Sequence, residues 1–322
     1  MVRLAVRGRA ASAVAAALAL SAGLAGCQSA GPQRHPDTRA RPASAASRPR
    51  GTGPAAGQPL DTAYFSRGAC VAFPPLAGNR HLTVFLDAGH GGLDPGAVGR
   101  TESGRQVEES ALTLRVVLDT MAILRRAGLR VVVSRTGPGS VIRLGPGDVS
   151  GRLLTPDGVV DDVGARDVCA NIAHASVLVG VYFNAGLPGN AGCITGYDAA
   201  RPFAAANRRL ARLLQSAVLA AMNRQGWQIP DAGVHNDTGL GSAVTAADAA
   251  YGHLLLLGPA KRGYFSTPSQ MPGALIEPLF LTDPFEASIA ASARGQHVIA
   301  VGLARGIEEY LARLAVARAD PA

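Results

Sequence analysis

Leu82-Thr83-Val84-Phe85-Leu86-Asp87-Ala88-Gly89-His90-Gly91-Gly92 runs from an apolar stretch into a histidine set among glycines. The first part reads as a buried strand, the second as an open turn at its carboxyl end. Downstream, Glu108–Ala127 carries Leu112, Val116, Met121 and Leu124 at helical spacing, and Gly128 stops it. Val131–Ser134 reads as the next strand, Ala165–Ala175 as a helix, and Val177–Tyr182 and Cys193–Tyr197 as strands. Phe203–Gln225 is a long helix with Leu210, Leu214, Val218 and Met222 on one face. Leu254–Leu257 and Ala274–Glu277 read as strands, and Val298–Leu314 closes the series as a helix. The Gly- and Pro-rich stretch Gly137–Asp162 reads as a long loop. This alternation predicts a single α/β domain with a twisted, mostly parallel sheet flanked by helices.

Charge is unevenly spread. The chain of 322 residues has a formal charge of +8, yet residues 1–56 hold eight Arg against the single acid Asp37. The remainder is almost neutral, which lacks the electrostatic footprint of a nucleic-acid binder. The only lysine, Lys261, stands in no GxxxxGK[ST] pattern, so a nucleotide-phosphate loop is also disfavoured. Arg3, Arg7 and Arg9 precede the apolar run Ala10–Gly26, which ends in Leu24-Ala25-Gly26-Cys27. Residues 1–26 therefore read as a signal peptide, and its ending resembles a bacterial lipobox with Cys27 as the lipidated first residue. Residues 27–56 lack the large apolar residues a core needs and read as a disordered tether, about 100 Å long when stretched. Residues 57–80 are expected to extend the folded domain, 81–316 to form it, and 317–322 to be a tail. The partner implied by the leader is a membrane, reached through the lipid, which makes the protein extracytoplasmic. Apart from Cys27, Cys70, Cys169 and Cys193 allow at most one disulfide and leave one thiol.

Sites in such sheets form at the carboxyl ends of strands. His90 follows the first strand there, Glu277 ends the Ala274–Glu277 strand, and Glu108 and Glu109 open a helix. Taken singly, these are a loop histidine and carboxylates complementing a helix dipole. Together they are ingredients of a zinc site.

From Val84 to Leu314 the chain resembles the zinc-dependent N-acetylmuramoyl-L-alanine amidases, a family of peptidoglycan hydrolases. Asp87-Ala88-Gly89-His90-Gly91-Gly92 followed by Asp94-Pro95-Gly96-Ala97 is similar to its D-P-G-H-G-G and D-P-G-A motifs. Glu109 with Leu114 fits its glutamate ligand better than Glu108. Val131-Val132-Val133-Ser134-Arg135, then Arg166, Ala170, Asn171 and Ala173, follow in the family order. Leu275-Ile276-Glu277 with Thr282-Asp283-Pro284-Phe285-Glu286, and Gly306-Ile307-Glu308-Glu309-Tyr310-Leu311, complete the series. One position departs. Gly180-Val181-Tyr182-Phe183-Asn184-Ala185 has Tyr182 where the family places its second histidine ligand.

The resemblance implies hydrolysis of the amide joining N-acetylmuramic acid to L-Ala of the peptidoglycan stem. Zn2+ would be held by His90 and Glu109, with Tyr182 or His235 completing the shell, and Glu277 would move the proton. Asp87 would orient His90 or cap the turn. His174 is expected on the preceding helix as a surface or packed residue, and His253 begins a strand at the end away from the site. The alternative is a degenerate amidase that binds peptidoglycan without cutting it.

Overall fold

The computed structural model describes residues 56–240 and 246–319. The signal peptide, Cys27 and all but the last residue of the tether lie outside the described residues. In chain order the elements begin with β1 (Gln58–Pro59), β2 (Ala69–Phe73), β3 (Thr83–Ala88), β4 (Val98–Arg100), β5 (Gln106–Glu108), α1 (Glu109–Arg126) and β6 (Arg130–Arg135). There follow β7 (Val149–Ser150), β8 (Leu153–Leu154), α2 (Pro156–Ile172), β9 (Val177–Val181), β10 (Cys193–Tyr197) and α3 (Ala204–Asn223). The last are β11 (Asp231–Asn236), α4 (Ala246–Tyr251), β12 (Gly273–Glu277), α5 (Pro284–Ala291) and α6 (Ala293–Ala319).

An eight-stranded sheet has the order β1-β2-β6-β3-β9-β12-β10-β11. Strands β6, β3, β9 and β12 are mutually parallel, with Asp87 beside Gly180 and Ile276 beside Val181. Strand β10 runs antiparallel to β12, with Ile194 opposite Glu277, and β11 runs parallel to β10. The carboxyl ends of β3, β6, β9 and β12 therefore share one edge. The amino end of β10 meets that edge, and its carboxyl end meets the other.

Both faces of the sheet are covered, which is why its strands read as continuous apolar runs rather than alternating ones. Val84, Leu86, Val131, Val133, Val177 and Val179 pack with apolar residues of α1, α3 and α6. Phe85, Val132, Leu178 and Leu275 point to the other face, against α2 and the segment that carries Leu254, Leu256 and Leu257.

Two readings change here. Leu254–Leu257 is a buried series of turns rather than a strand. The Leu254 N–H donates to Asp237 Oδ2 and the Leu255 N–H to Asp248 Oδ1, so side chains hold the backbone donors a ladder would need. Gly137–Asp162 is only partly loop, because it contains the β7–β8 hairpin and the first turns of α2. Pro156 opens that helix and Thr155 caps it, accepting from the Gly158 N–H.

A disulfide joins Cys70 on β2 to Cys169 on α2, across 99 residues of sequence, and Cys193 is a buried free thiol. Closing so long a loop removes much of the unfolded chain's freedom, worth about 4–5 kcal/mol in the chain-entropy account. Reducing it is expected to lower the melting temperature by roughly 10 °C. Calorimetry with and without reductant measures this, and an unchanged melting point would show that the cross-link is thermodynamically idle.

Candidate active site

At the β3 carboxyl end the chain turns sharply. His90 has φ 60°, in the left-handed region, and Gly91 and Gly92 also have positive φ. For a histidine that conformation carries strain, so its surroundings must hold it. The Arg166 guanidinium does so, donating to the His90 and Ala88 carbonyls at 2.9 and 2.8 Å. Arg135 donates to the carbonyls of Ala88 and Gly89 at 3.0 and 2.9 Å.

Glu109 is the first residue of α1, where the helix dipole favours a carboxylate. Its Oε2 accepts from the Ala97 N–H and its Oε1 from the Phe183 N–H, both at 2.8 Å. Oε1 also lies 3.1 Å from His90 Nε2. The second ring nitrogen, Nδ1, is 2.7 Å from Asp94 Oδ2. Burial alone would lower the His90 pKa. The Glu109 and Asp94 carboxylates outweigh it and raise the ring to about 10. Burial would likewise raise Asp94, but the bond and charge of His90 and the Gly96 N–H lower it. The His90–Glu109 approach depends on Gly96, where a Cβ would sit 2.6 Å from both Glu109 Oε2 and His90 Cδ2.

Glu277 ends β12 beside Tyr182, which follows β9. Glu277 is only 7% exposed. Burial, then the nearby charge of Glu109, pushes its carboxyl well above the usual carboxylate range, and His90 pulls the other way. His90, Glu109, Tyr182, Asn184, Asp248 and Glu277 line one cavity of about 330 Å³, walled on one side by Leu254, Leu255 and Leu256.

The other sequence-derived positions fall differently. The Tyr182 hydroxyl donates to Asp87 Oδ2 at 2.9 Å, and its ring stands edge-on to His90 with centroids 5.2 Å apart. Burial and the Asp87 charge push its ionisation well above 10. Asp87 does not orient His90. Its Oδ1 accepts from Arg166 Nη1 at 2.6 Å and its Oδ2 from the Tyr182 hydroxyl, while Asp94 does the orienting. Asp94 stands in the Asp94-Pro95-Gly96-Ala97 motif, four residues after His90, and the motif alone does not assign it this role. His235 is exposed on β11, with Nε2 2.7 Å from the Ala232 carbonyl, and does not line the cavity. Among the described residues, no third His, Cys, Asp or Glu joins His90 and Glu109 in a group with all donor atoms within 4.8 Å.

Two neighbouring donors, an imidazole fixed through its second nitrogen and a carboxylate fixed by backbone amides, suit a divalent ion. Their 3.1 Å separation is close to the roughly 3.4 Å edge of a tetrahedron built on zinc-like bonds. The third position does not fit, because the Tyr182 hydroxyl is engaged with Asp87.

Known proteins resemble this chain over most of the folded part. The germination-specific N-acetylmuramoyl-L-alanine amidase of Bacillus subtilis is 25% identical over 240 residues, 73% of this chain and 81% of that protein. The N-acetylmuramoyl-L-alanine amidase AmiA of Salmonella typhimurium is 42% identical over 77 residues, 24% of this chain and 25% of that protein. The matched stretch thus spans a quarter of the Salmonella relative. Among solved structures, an N-acetylmuramoyl-L-alanine amidase from Clostridium difficile 630 superposes with a TM-score of 0.51 at 26% identity, covering 72% of this chain and 97% of that one. The CwlD amidase of Clostridioides difficile shares the fold, with a TM-score of 0.54 at 19% identity, covering 72% and 99%. The sequence profile of the N-acetylmuramoyl-L-alanine amidases matches residues 84–309, from the strand that delivers His90 to the helix that closes the domain, and so the chain belongs to that family.

Proposed function

We infer that this protein hydrolyses the amide between N-acetylmuramic acid and L-Ala of peptidoglycan stem peptides, using Zn2+ held by His90 and Glu109. The observation that carries the reading is the buried Glu277 carboxylate facing the same cavity as the His90–Glu109 pair. A bound zinc ion supplies Lewis-acid polarisation of the scissile carbonyl and acidifies water. Asp94 holds the His90 ring, and the Ala97 and Phe183 amides hold Glu109. Glu277 takes a proton from the attacking water and delivers it to the departing L-Ala amine, so the carboxylate is restored at the end of the cycle. Tyr182 acts from below, fixing Asp87 and through it Arg166, rather than as a third donor. His235 has no part in the site.

A binding module that has lost catalysis is the less favoured reading. A carboxylate buried beside another carboxylate costs stability, and glycan or peptide recognition gains nothing from it. Cys27 as a lipid anchor and residues 27–56 as a tether place the domain outside the cytoplasm, facing the cell wall. The Cys70–Cys169 disulfide supports an oxidising compartment. No helix among the described residues is long and apolar enough to cross a membrane.

Incubating the zinc-loaded full chain with peptidoglycan tests the activity. Stem peptides with a free L-Ala amino terminus are expected, with no new reducing ends on the glycan. Peptidoglycan that is retained on the protein but releases no peptide would favour the binder.

A further inference from the structure

We propose that Asp198, Asp237 and His253 form a second metal site, which takes one divalent cation of the Zn2+ class at the sheet edge opposite the catalytic cleft. Asp198 follows β10 and Asp237 follows β11, and these strands run parallel. Because β10 is antiparallel to β12, both carboxylates emerge where β12 begins, not where Glu277 ends it. From Ile194, opposite Glu277, to Asp198 is about 13 Å along the strand. The site is therefore distinct from the one built on His90.

Three features point to a cation. First, one ligand atom from each residue lies within 4.8 Å of the others, a grouping found nowhere else among the described residues. Second, His253 Nδ1 is 3.1 Å from Asp198 Oδ2 and 3.2 Å from Asp237 Oδ2. Both separations approach the roughly 3.4 Å edge of a tetrahedral zinc shell. Third, His253 Nδ1 faces two carboxylates but is hydrogen-bonded to only one of them. Its hydrogen bond goes to Asp237, and Asp198 Oδ2 is left without a hydrogen bond although Asp198 is fully buried. A buried carboxylate oxygen in that state carries a desolvation penalty that a cation removes.

The rest of each carboxylate is already fixed. Asp198 Oδ1 accepts from the Ala200 N–H, and Asp237 Oδ1 accepts from the Thr238 N–H. Asp237 Oδ2 also accepts from the Leu254 N–H at 3.0 Å. Two carboxylates and one imidazole suit Zn2+ or Mn2+. Ca2+ prefers six to eight oxygens and would find too few here.

Such an ion would act on the cleft through the chain. Leu254, Leu255 and Leu256 follow His253 directly and form a wall of the cavity. Tying His253 to the ends of β10 and β11 fixes that wall at its root. The site would therefore govern how well substrate is held more than how fast it reacts.

The test uses the full chain carrying His90→Ala, which removes a cleft ligand and leaves the second site untouched. The protein is stripped with a chelator, dialysed against micromolar Zn2+ and analysed for metal. One zinc per chain is expected, with a melting temperature several degrees above the stripped form. Adding Asp237→Asn, or His253→Gln should that variant not fold, is expected to remove both the ion and the shift. The proposal is overturned if the His90→Ala protein retains no zinc, or retains it equally after either second substitution. Wild type minus His90→Ala reports the cleft ion separately, so failure of one site does not read as failure of the other. On the wild-type background, His253→Gln is expected to raise KM severalfold with little change in kcat. A change confined to kcat would refute the link to the cleft wall.

Discussion

Glu277→Gln is expected to cut peptide release by about 10³-fold while leaving zinc content unchanged. The amide keeps the shape and the hydrogen-bonding capacity of the side chain but cannot accept and return a proton. Its expected stability separates this from simple damage. Glu277 is buried with Glu109 nearby, so removing its charge relieves desolvation and repulsion. The melting temperature should hold or rise as activity disappears. Release assays paired with calorimetry and metal analysis decide it. A variant that keeps even a tenth of wild-type activity would show that another group carries the proton.

Tyr182→His should have the second largest effect, in the opposite direction. Restoring an imidazole beside Glu277 offers the ion a third protein donor, and zinc affinity should rise more than 100-fold, beyond the 10–100-fold typical of outer-shell partners. The gain comes with a loss. Asp87 Oδ2 gives up the Tyr182 hydroxyl, and a buried carboxylate oxygen without its donor costs about 1–3 kcal/mol. The stripped variant should therefore melt below wild type and recover when zinc is added. Tyr182→Phe separates the two effects, because it removes the same hydrogen bond and offers no donor. It should lose stability yet keep wild-type zinc content and rate. Zinc titration by calorimetry reads both variants. Unchanged affinity in Tyr182→His, or lost zinc in Tyr182→Phe, would overturn this assignment of Tyr182.

Much of the architecture could be read from periodicity. The strands at 83–88, 130–135, 177–181, 193–197 and 273–277 and the helices at 109–126 and 204–223 lie within a few residues of where the sequence puts them. What stayed hidden has a common cause. Leu254–Leu257 has the composition of a strand, but its backbone donors are taken by Asp237 and Asp248, and no local pattern announces a partner seventeen residues away. Helix α2 begins nine residues before its apolar signal because Thr155 and Pro156 start it with polar chemistry. The edge strands β1, only two residues long, and β11, partly polar, are defined by the sheet and do not define themselves. Within the site, His90, Glu109 and Glu277 were legible because each stands at an element's end. The roles of Asp87 and Asp94 were not. Both are acids close to His90 in sequence, and only the position of Arg166, 79 residues beyond Asp87, decides which of them faces the ring. The same distance hid the Asp198–Asp237–His253 trio, whose members come from three separate segments.

The spacing between the imidazole and carboxylate of the cleft is written in an atom that is not there. With φ +67° at Gly96 and no room for a methyl group above His90 and Glu109, every other residue type would push the two apart. For protein engineering, position 96 is thus closed to variation even though its own side chain does no chemistry. Libraries that diversify this loop to change substrate preference should hold that glycine constant and spend their diversity on the leucine wall across the cavity.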